Sequence, residues 1–481
     1  MDAETFRRFG HEVVDWVATY LQEVEHYPVL SRVSPGEVRE QLPSSPPPVG
    51  ETMEAVLGDF QDIILPGITH WNHPRFFAYF PANNSGPSIL AELLSAGLNV
   101  NAMLWQTSPA ATELEELVMD WLRQLLNLPS SFRGVIQDTA STATLCALLC
   151  ARERLSGFQI NAHGFSAWSE QGPLRVYASR EAHSSVEKGL KIAGFGAGNL
   201  VLVSVDENYG MDPQDLEKRI QEDREHGFNP CCVTATVGTT SSTALDPLTP
   251  IGEIAQRHGL WFHVDAALAG SAAILPEKRW TLDGIELADS LVFNPHKWLF
   301  TNFDCSAFFC RYPEVLTATF SMLPEYLKTD MDRQVTNFRD WGIQLGRRFR
   351  ALKLWFVLRY YGVEGLQEML REHLALAQEF KEWIEESRDF ELLAPVPLNT
   401  ICFRFHPGKR SGKGLPSEEL ERLNKALLDE VNRSGRIYIT HTRLGDDFCL
   451  RLSIGQTQTR REHVVQAWEA IQGSQIVQSM R

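Results

Sequence analysis

No apolar run in the 481-residue chain approaches the ~18 residues that a membrane-spanning helix needs. That excludes an integral helical membrane protein. The eight cysteines form no CxxC pair; the neighbouring ones are Cys146 and Cys150, Cys231 and Cys232, and Cys305 and Cys310. Several sit in apolar runs, so they are expected to be reduced packing residues in a cytoplasmic protein. Positive charge is short as well. Lys and Arg number 45 against 61 Asp and Glu, a formal net charge of −16. That balance argues against nucleic acid or an anionic membrane as a partner. Neither GxGxxG nor GxxxxGK[ST] occurs, so neither common phosphate-binding loop is present. No internal repeat is visible, which sets solenoids aside. The start, Met1-Asp2-Ala3-Glu4, is polar and opens an amphipathic pattern, so no signal peptide is expected.

What remains is a long chain with 43% hydrophobic residues, enough for a sizeable core and two or three domains. Phe6, Phe9, Val13, Val17, Tyr20, Leu21 and Val24 recur at helical spacing over 5–25. A proline-rich strap from Pro43 to Pro48 must be extended, and a second helix is expected at about Met53–Ile64. Two helices and a strap make a poor core alone, so the arm over 1–85 is expected to pack on its own large domain or on another subunit. Trp71 and the run Phe76-Phe77-Ala78-Tyr79-Phe80-Pro81 read equally well as a core cluster or a pocket wall.

From about residue 86 to 356 helix and strand patterns alternate. Strands are expected at Gly134–Ile136, Leu174–Ala178, Leu200–Val205, Cys232–Val237 and Trp261–Val264, with helices between them. Continuous Val- and Ile-rich strands alternating with helices predict an α/β fold, a mostly parallel sheet covered on both faces. In such sheets ligands bind beyond the carboxyl ends of the strands. Over 357–481 the character changes. Helices at Arg347–Tyr361, Leu366–Glu386, Ser417–Arg433 and His463–Ile471 accompany a strand at Thr400–Phe405 and a strand pair at Ile437–Thr440 and Phe448–Ile454. This predicts a smaller C-terminal α+β domain.

Chemistry gathers at the strand ends. Asp138-Thr139-Ala140-Ser141-Thr142 joins a strand to a helix, where free N–H groups and the helix dipole favour an anion, although ordinary capping by Ser or Thr explains the residues equally simply. Ala182-His183-Ser184-Ser185 adds an imidazole and hydroxyls, and Gly238-Thr239-Thr240-Ser241-Ser242 is a third hydroxyl-rich turn. His263-Val264-Asp265-Ala266-Ala267 ends a buried strand on a carboxylate that needs a cationic or hydrogen-bonding partner. Asn294-Pro295-His296-Lys297 places a lysine between two apolar runs, where desolvation would let it lose its proton and attack a carbonyl. A phosphate cradle, a ring-stacking imidazole, an acid for a pyridinium nitrogen and a Schiff-base lysine are together what pyridoxal 5′-phosphate requires. No metal-ligand set is singled out.

These blocks resemble those of the aromatic-L-amino-acid decarboxylases, group II pyridoxal-phosphate enzymes. The resemblance rests on Phe76–Pro81, Ser108–Glu115, Ala182–Glu187, His263–Gly270, Phe293–Trp298 with Asn302–Cys305, and Leu345–Phe349. It implies a PLP-dependent transferase fold of type I, with a seven-stranded sheet in the large domain, and a homodimer with active sites at the subunit interface. It further implies that Lys297 carries the cofactor as an imine and Asp265 meets its ring nitrogen. His183 stacks on the ring near the substrate carboxylate. Ala140, Ser141, Ser185, Asn294 and His296 surround the phosphate, with Thr240 close by. Tyr326, in a polar loop from about 323 to 341 that suits a lid, matches the tyrosine that protonates the substrate Cα. Trp71, Tyr79, Phe80 and Pro81 resemble the aromatic substrate pocket. Gly346 leaves room for a bulky ring, which favours tryptophan and disfavours histidine. Asn101 and Met103 depart from the Ile and Phe of animal relatives, where these positions line the partner's pocket, and Ala82 departs from their Thr or Ser. The alternatives are an aromatic aldehyde synthase, in which the loop tyrosine or the stacking histidine is typically changed, an aminotransferase, which usually keeps a dedicated carboxylate-binding Arg, and a non-catalytic binding protein.

Overall fold

The computed structural model describes residues 1–322, 331, 334–408 and 415–480. Tyr326, most of its loop and the basic loop at Lys409–Lys413 lie outside the described residues. The chain forms two compact units, one of residues 1–81, 379–393 and 402–481, the other of residues 82–378 and 394–401.

The second unit is built on a seven-stranded sheet: β1 (Arg133–Gln137), β2 (Leu174–Ser179), β3 (Leu200–Val203), β4 (Asn229–Thr236), β5 (Trp261–Asp265), β6 (Ser290–Phe293) and β7 (Ser306–Cys310), in the order β1-β7-β6-β5-β4-β2-β3. The pairs from β3 through β2, β4 and β5 to β6 are parallel, and only β7 runs against its neighbours β6 and β1. The fold is therefore mixed α/β with a mostly parallel sheet, as the alternation predicts. β4 to β7 are buried almost throughout, because helices cover both faces. Two of these helices begin as their sequences foretell. The Ser108 hydroxyl caps Pro109–Leu125 by accepting from the Ala111 N–H, and Asp212 does the same for Pro213–Glu225 through the Gln214 N–H. The carboxyl ends of β1, β2, β4, β5 and β6 share one edge, and the hydroxyl-, His-, Asp- and Lys-bearing turns all fall there.

The first unit starts with the helix Ala3–Glu23 and contains a four-stranded sheet in the order β10-β11-β9-β8: β8 (Phe390–Leu392), β9 (Thr400–Phe405), β10 (Thr440–Leu444) and β11 (Asp447–Ser453). The expected pairing of Ile437–Thr440 with Phe448–Ile454 is corrected here. The strand opposite β11 is Thr440–Leu444, with Leu444 facing Asp447 across a two-residue turn. Gly445 sits in that turn at φ 59°, so a Gly-Asp hairpin sets the register. Ile437 and Ile439 are instead fully buried on either side of Tyr438, which bridges in parallel to Phe76. The expected helices at Arg347–Tyr361 and Leu366–Glu386 are one element, Arg350–Glu386, broken at Gly362, whose φ of 65° only glycine adopts readily. The helix starts three residues late because Arg347 is drawn into a buried ion pair with Glu115. All eight cysteines are buried free thiols. Among the described residues no helix is long and apolar enough to cross a membrane.

Candidate active site

Lys297 lies on a single helical turn, Pro295–Trp298, directly after β6. Its amide N–H donates to the Asn294 carbonyl at 2.9 Å, and its own carbonyl accepts from the Asn83 side chain at 2.7 Å. Asn294 is buried. Its side-chain oxygen accepts from Ser306 Oγ at 2.7 Å, which directs the amide donors of the same side chain away from Ser306. His296 is also buried, with Nδ1 accepting from the Cys305 N–H at 2.9 Å. Burial first, and then the Lys297 charge, push its pKa down to about 3. His296 is thus a neutral ring whose proton sits on Nε2, a donor rather than a cation.

Asp265 ends β5 and is 3% exposed. One carboxylate oxygen accepts from the Ala267 N–H at 3.0 Å, which fixes the orientation of the group. The small residues after it allow close packing within the protein. A methyl group at Gly270 would run into Phe293, and one at Gly238, in the turn after β4, would lie 2.8 Å from Ala269 Cβ. Thr236, the β4 residue in register with Asp265, has a buried hydroxyl without a hydrogen-bond partner among the described residues, as does Ser179 at the end of β2.

His183 stands in the turn between β2 and the helix Ser185–Ile192. Its Nδ1 accepts from the Ser185 backbone N–H at 3.1 Å and lies 2.9 Å from Ser185 Oγ. An accepting Nδ1 means that the ring proton is on Nε2. Burial lowers the pKa of this imidazole; Asp265 opposes the shift and Lys297 reinforces it. Both charges therefore act on the ring, and the three residues form one electrostatic cluster. Ala140 and Ser141 open the helix Ala140–Ser156, capped by Thr139 through the Thr142 N–H. The capping explanation of the hydroxyls thus holds for Thr139, and Ser141 is left exposed at the helix start. Thr240 is exposed in the turn after β4.

The other candidates form two groups. In the second unit, Asn101 Oδ1 accepts from the Arg347 N–H at 3.0 Å and Asn101 Nδ2 lies 3.6 Å from Met103 Sδ. A methyl group on Gly346 would sit 3.9 Å from Asn101 Nδ2, so space at Gly346 is open. In the first unit, Trp71 stacks on Tyr79 at 5.8 Å, the Tyr79 hydroxyl lies 3.3 Å from that of Tyr438, and the Arg451 guanidinium lies 4.8 Å over Phe80, which adjoins Pro81.

Sequence reasoning missed Tyr438 and Arg451, which pattern alone does not connect with residues 71–81. It also missed what the blocks Ser108–Glu115 and Leu345–Phe349 do for each other. Glu115 and Arg347 form a buried pair at 2.6 Å, and both also bond to Ile136 of β1, Glu115 to its N–H at 2.8 Å and Arg347 to its carbonyl at 2.9 Å. A glutamate on the apolar face of an amphipathic helix was the available signal.

A buried carboxylate, a neutral imidazole beside it, a lysine on the neighbouring strand end, donors at a helix start and orphaned buried hydroxyls make a donor set that fits pyridoxal phosphate. The site thus defines a pyridoxal-phosphate enzyme of α/β architecture. The chain belongs to the pyridoxal-dependent decarboxylase family, whose conserved domain matches residues 35–406. It is 44% identical to phenylacetaldehyde synthase of Arabidopsis thaliana over 98% of this chain and 96% of that protein. It is 45% identical to tyrosine decarboxylase 4 of Petroselinum crispum over 98% and 93%. The crystal structure of Catharanthus roseus tryptophan decarboxylase in complex with L-tryptophan matches with a TM-score of 0.92 at 41% identity, covering 100% of this chain and 99% of that one.

Proposed function

We propose that the protein is a carboxy-lyase that converts aromatic L-amino acids to arylalkylamines and carbon dioxide, with tryptophan favoured and phenylalanine, tyrosine, DOPA and 5-hydroxytryptophan within reach. The observation that carries this reading is the cluster of Lys297, Asp265 and His183 at one sheet edge, in a chain of this family. The donors at Ala140, Ser141, Ser185, Asn294 and His296 would hold the cofactor phosphate, with Thr240 nearby. Asp265, oriented by the Ala267 N–H, would keep the ring nitrogen protonated. When bound, the cofactor supplies an electron sink for the pair released from the Cα–carboxylate bond. Lys297 would hold it covalently and give way to the substrate amine. His183, neutral with its proton on Nε2, would lie against the ring and donate to the substrate carboxylate. Tyr326 is assigned the return of a proton to Cα, an assignment that rests on the sequence resemblance. Recognition of the aromatic ring is assigned on the same ground to Trp71, Tyr79, Phe80 and Pro81, and separately to Asn101, Met103 and Gly346.

We also infer a homodimer. Leu90, Leu93, Leu94 and Leu98 are each at least half exposed and lie at i, i+3, i+4 and i+8 of the helix Gly86–Leu98, an apolar stripe suited to a second copy. Exposed Phe6, Val13 and Val14 on Ala3–Glu23 support an arm over 1–85 that reaches the same copy. Eight buried free thiols fit the reducing cytoplasm.

The test is to incubate cofactor-loaded protein separately with tryptophan, tyrosine, phenylalanine, DOPA, histidine and glutamate, quantifying amine, aldehyde, peroxide and carbon dioxide. Amine from an aromatic substrate with little aldehyde is expected. Aldehyde with peroxide would instead make the protein an aldehyde synthase, like its Arabidopsis relative. Light scattering should give twice the 54.4-kDa chain mass, and Leu94→Glu should halve it.

A further inference from the structure

A one-turn helix cannot satisfy its own last carbonyls, because the donors that would serve them lie beyond its end. The turn Pro295–Trp298 is such a helix. Its amide bonds run from Lys297 N–H to the Asn294 carbonyl at 2.9 Å and from Leu299 N–H to the Pro295 carbonyl at 3.0 Å. The carbonyls of His296 and Lys297 point elsewhere, and one residue serves both. Asn83 donates its backbone N–H to the His296 carbonyl at 3.0 Å and its side-chain amide to the Lys297 carbonyl at 2.7 Å. Two residues on, Ser85 Oγ donates to the Phe300 carbonyl at 2.7 Å. Phe300 is fully buried at φ 52°, a left-handed conformation that costs a bulky residue energy and persists only where neighbours hold it. Asn83 and Ser85 are themselves buried, at 2% and 5% exposure, so each donor would be costly to leave unpaired.

Three carbonyls around the lysine are thus held from one short stretch of a distant part of the chain. A reactive group must be kept within about half an ångström of its working position, and a displacement of about 1 Å costs on the order of a hundredfold in rate. Lys297 has a long flexible stem, so the location of its backbone decides where its nitrogen can reach. We infer that Asn83 and Ser85 are positioning residues that clamp the Lys297 turn and so set where the lysine nitrogen meets the cofactor. This inference rests on Lys297 being the cofactor lysine. It concerns the main chain beneath the lysine and adds nothing to the groups that touch the substrate.

The experiment compares wild-type full-length protein, stripped of cofactor, with Asn83→Ala and Ser85→Ala. Added pyridoxal 5′-phosphate is titrated by its absorbance, and the pH midpoint of the lysine-bound absorbance band is then recorded. Asn83→Ala should weaken uptake by roughly three- to tenfold, the size of one lost hydrogen bond. Its band midpoint should move toward that of the free lysine–cofactor compound in water, because the nitrogen is no longer held. Ser85→Ala should show the same two changes, smaller. If circular dichroism shows that Asn83→Ala does not fold, Ser85→Ala decides through the same readouts. Wild-type affinity and midpoint in the folded variants would overturn the clamp, even if their thermal stability fell, since that would make the bonds merely structural. Wild-type protein that takes up no pyridoxal phosphate would overturn the cofactor reading and the clamp with it.

Discussion

The two units of this chain use buried polar groups in different ways. In the second unit they gather at one edge of a parallel sheet, and backbone groups at strand ends orient several of them. Asp265 takes the Ala267 N–H, His183 the Ser185 N–H and His296 the Cys305 N–H. In the first unit the prominent buried charge is Arg451, which bonds to the Tyr79 carbonyl and covers Phe80, within a cluster of Trp71, Tyr79 and Tyr438. One unit is arranged to present polar atoms in fixed directions, the other to build an aromatic surface around a cation. The directed polar groups and the aromatic cluster around Arg451 thus belong to different units, and substitutions in each unit put that contrast at risk.

The largest effect should come from Lys297→Ala, which is expected to reduce carbon dioxide release to background while leaving the fold intact by circular dichroism. A variant releasing carbon dioxide at the wild-type rate would sink the assignment of chemistry to the β6 turn. Tyr326→Phe comes next. Decarboxylation should continue, but if Tyr326 is the proton donor to Cα, dioxygen should oxidise the unprotonated carbon, and aldehyde, ammonia and peroxide should replace amine as the main products. Clean amine formation would remove Tyr326 from the mechanism.

Smaller effects concern stability. Glu115→Gln breaks a buried ion pair and leaves the Arg347 charge uncompensated, which should cost about 3–5 kcal/mol in denaturant unfolding of the second unit. The matching change in the first unit, Glu379→Gln, removes a half-buried partner that lies 2.8 Å from the exposed Arg461, and should cost at most about 1 kcal/mol. Equal losses would mean that the Glu115–Arg347 pair does not serve as the tie between β1 and the segment carrying Gly346.

The units also differ in how far their sequences disclosed them. The second unit is almost continuous in sequence, and each strand-to-helix step is short, so local periodicity and capping residues such as Ser108 and Asp212 revealed its elements. Its site turns were legible because Lys, Asp and His sit at strand ends, where a buried charge demands a reason. The first unit is assembled from three separated segments. Its Phe76–Tyr438 bridge joins residues hundreds of positions apart, and no local pattern encodes such a pairing. The hairpin register was legible in principle, since Gly445-Asp446 is a turn signal, but the alternating run through Ile437 and Ile439 masked it. Beside Ala82, the departure from animal relatives, Asn83 drew no notice of its own. Its purpose depends on which carbonyls the lysine turn leaves unserved, and that emerges only once both stretches are folded against each other.

The smallest expected effect is a pH dependence. Burial holds His263 at a pKa of about 4 and His296 at about 3 in the second unit, and burial with the Arg75 charge holds His73 at about 3 in the first. All three lie below the ordinary value of 6.5. The folded chain therefore refuses protons that the unfolded chain accepts below about pH 6.5. The associated stability is fully present above that pH and is lost as pH falls toward 4 and 3, by up to about 1.4 kcal/mol per pH unit for each histidine. In the second unit Asp246, raised by burial to about 7, takes up a proton over the same range and offsets one of its two histidines in the pH slope of protection from hydrogen exchange. His263 offers the cleanest test because its ring is fully buried. Trp261 Nε1 donates to Ser290 Oγ at 2.9 Å, and that hydroxyl lies 2.9 Å from His263 Nδ1. Nε2 is buried without a hydrogen-bond partner among the described residues, so a second ring proton would put a charge in an apolar interior. His263→Gln should remove one proton from the pH slope of the second unit and leave that of the first unchanged. An unchanged slope in the second unit would mean that folded His263 does take up the proton, and the contrast between the units would then rest on their geometry alone.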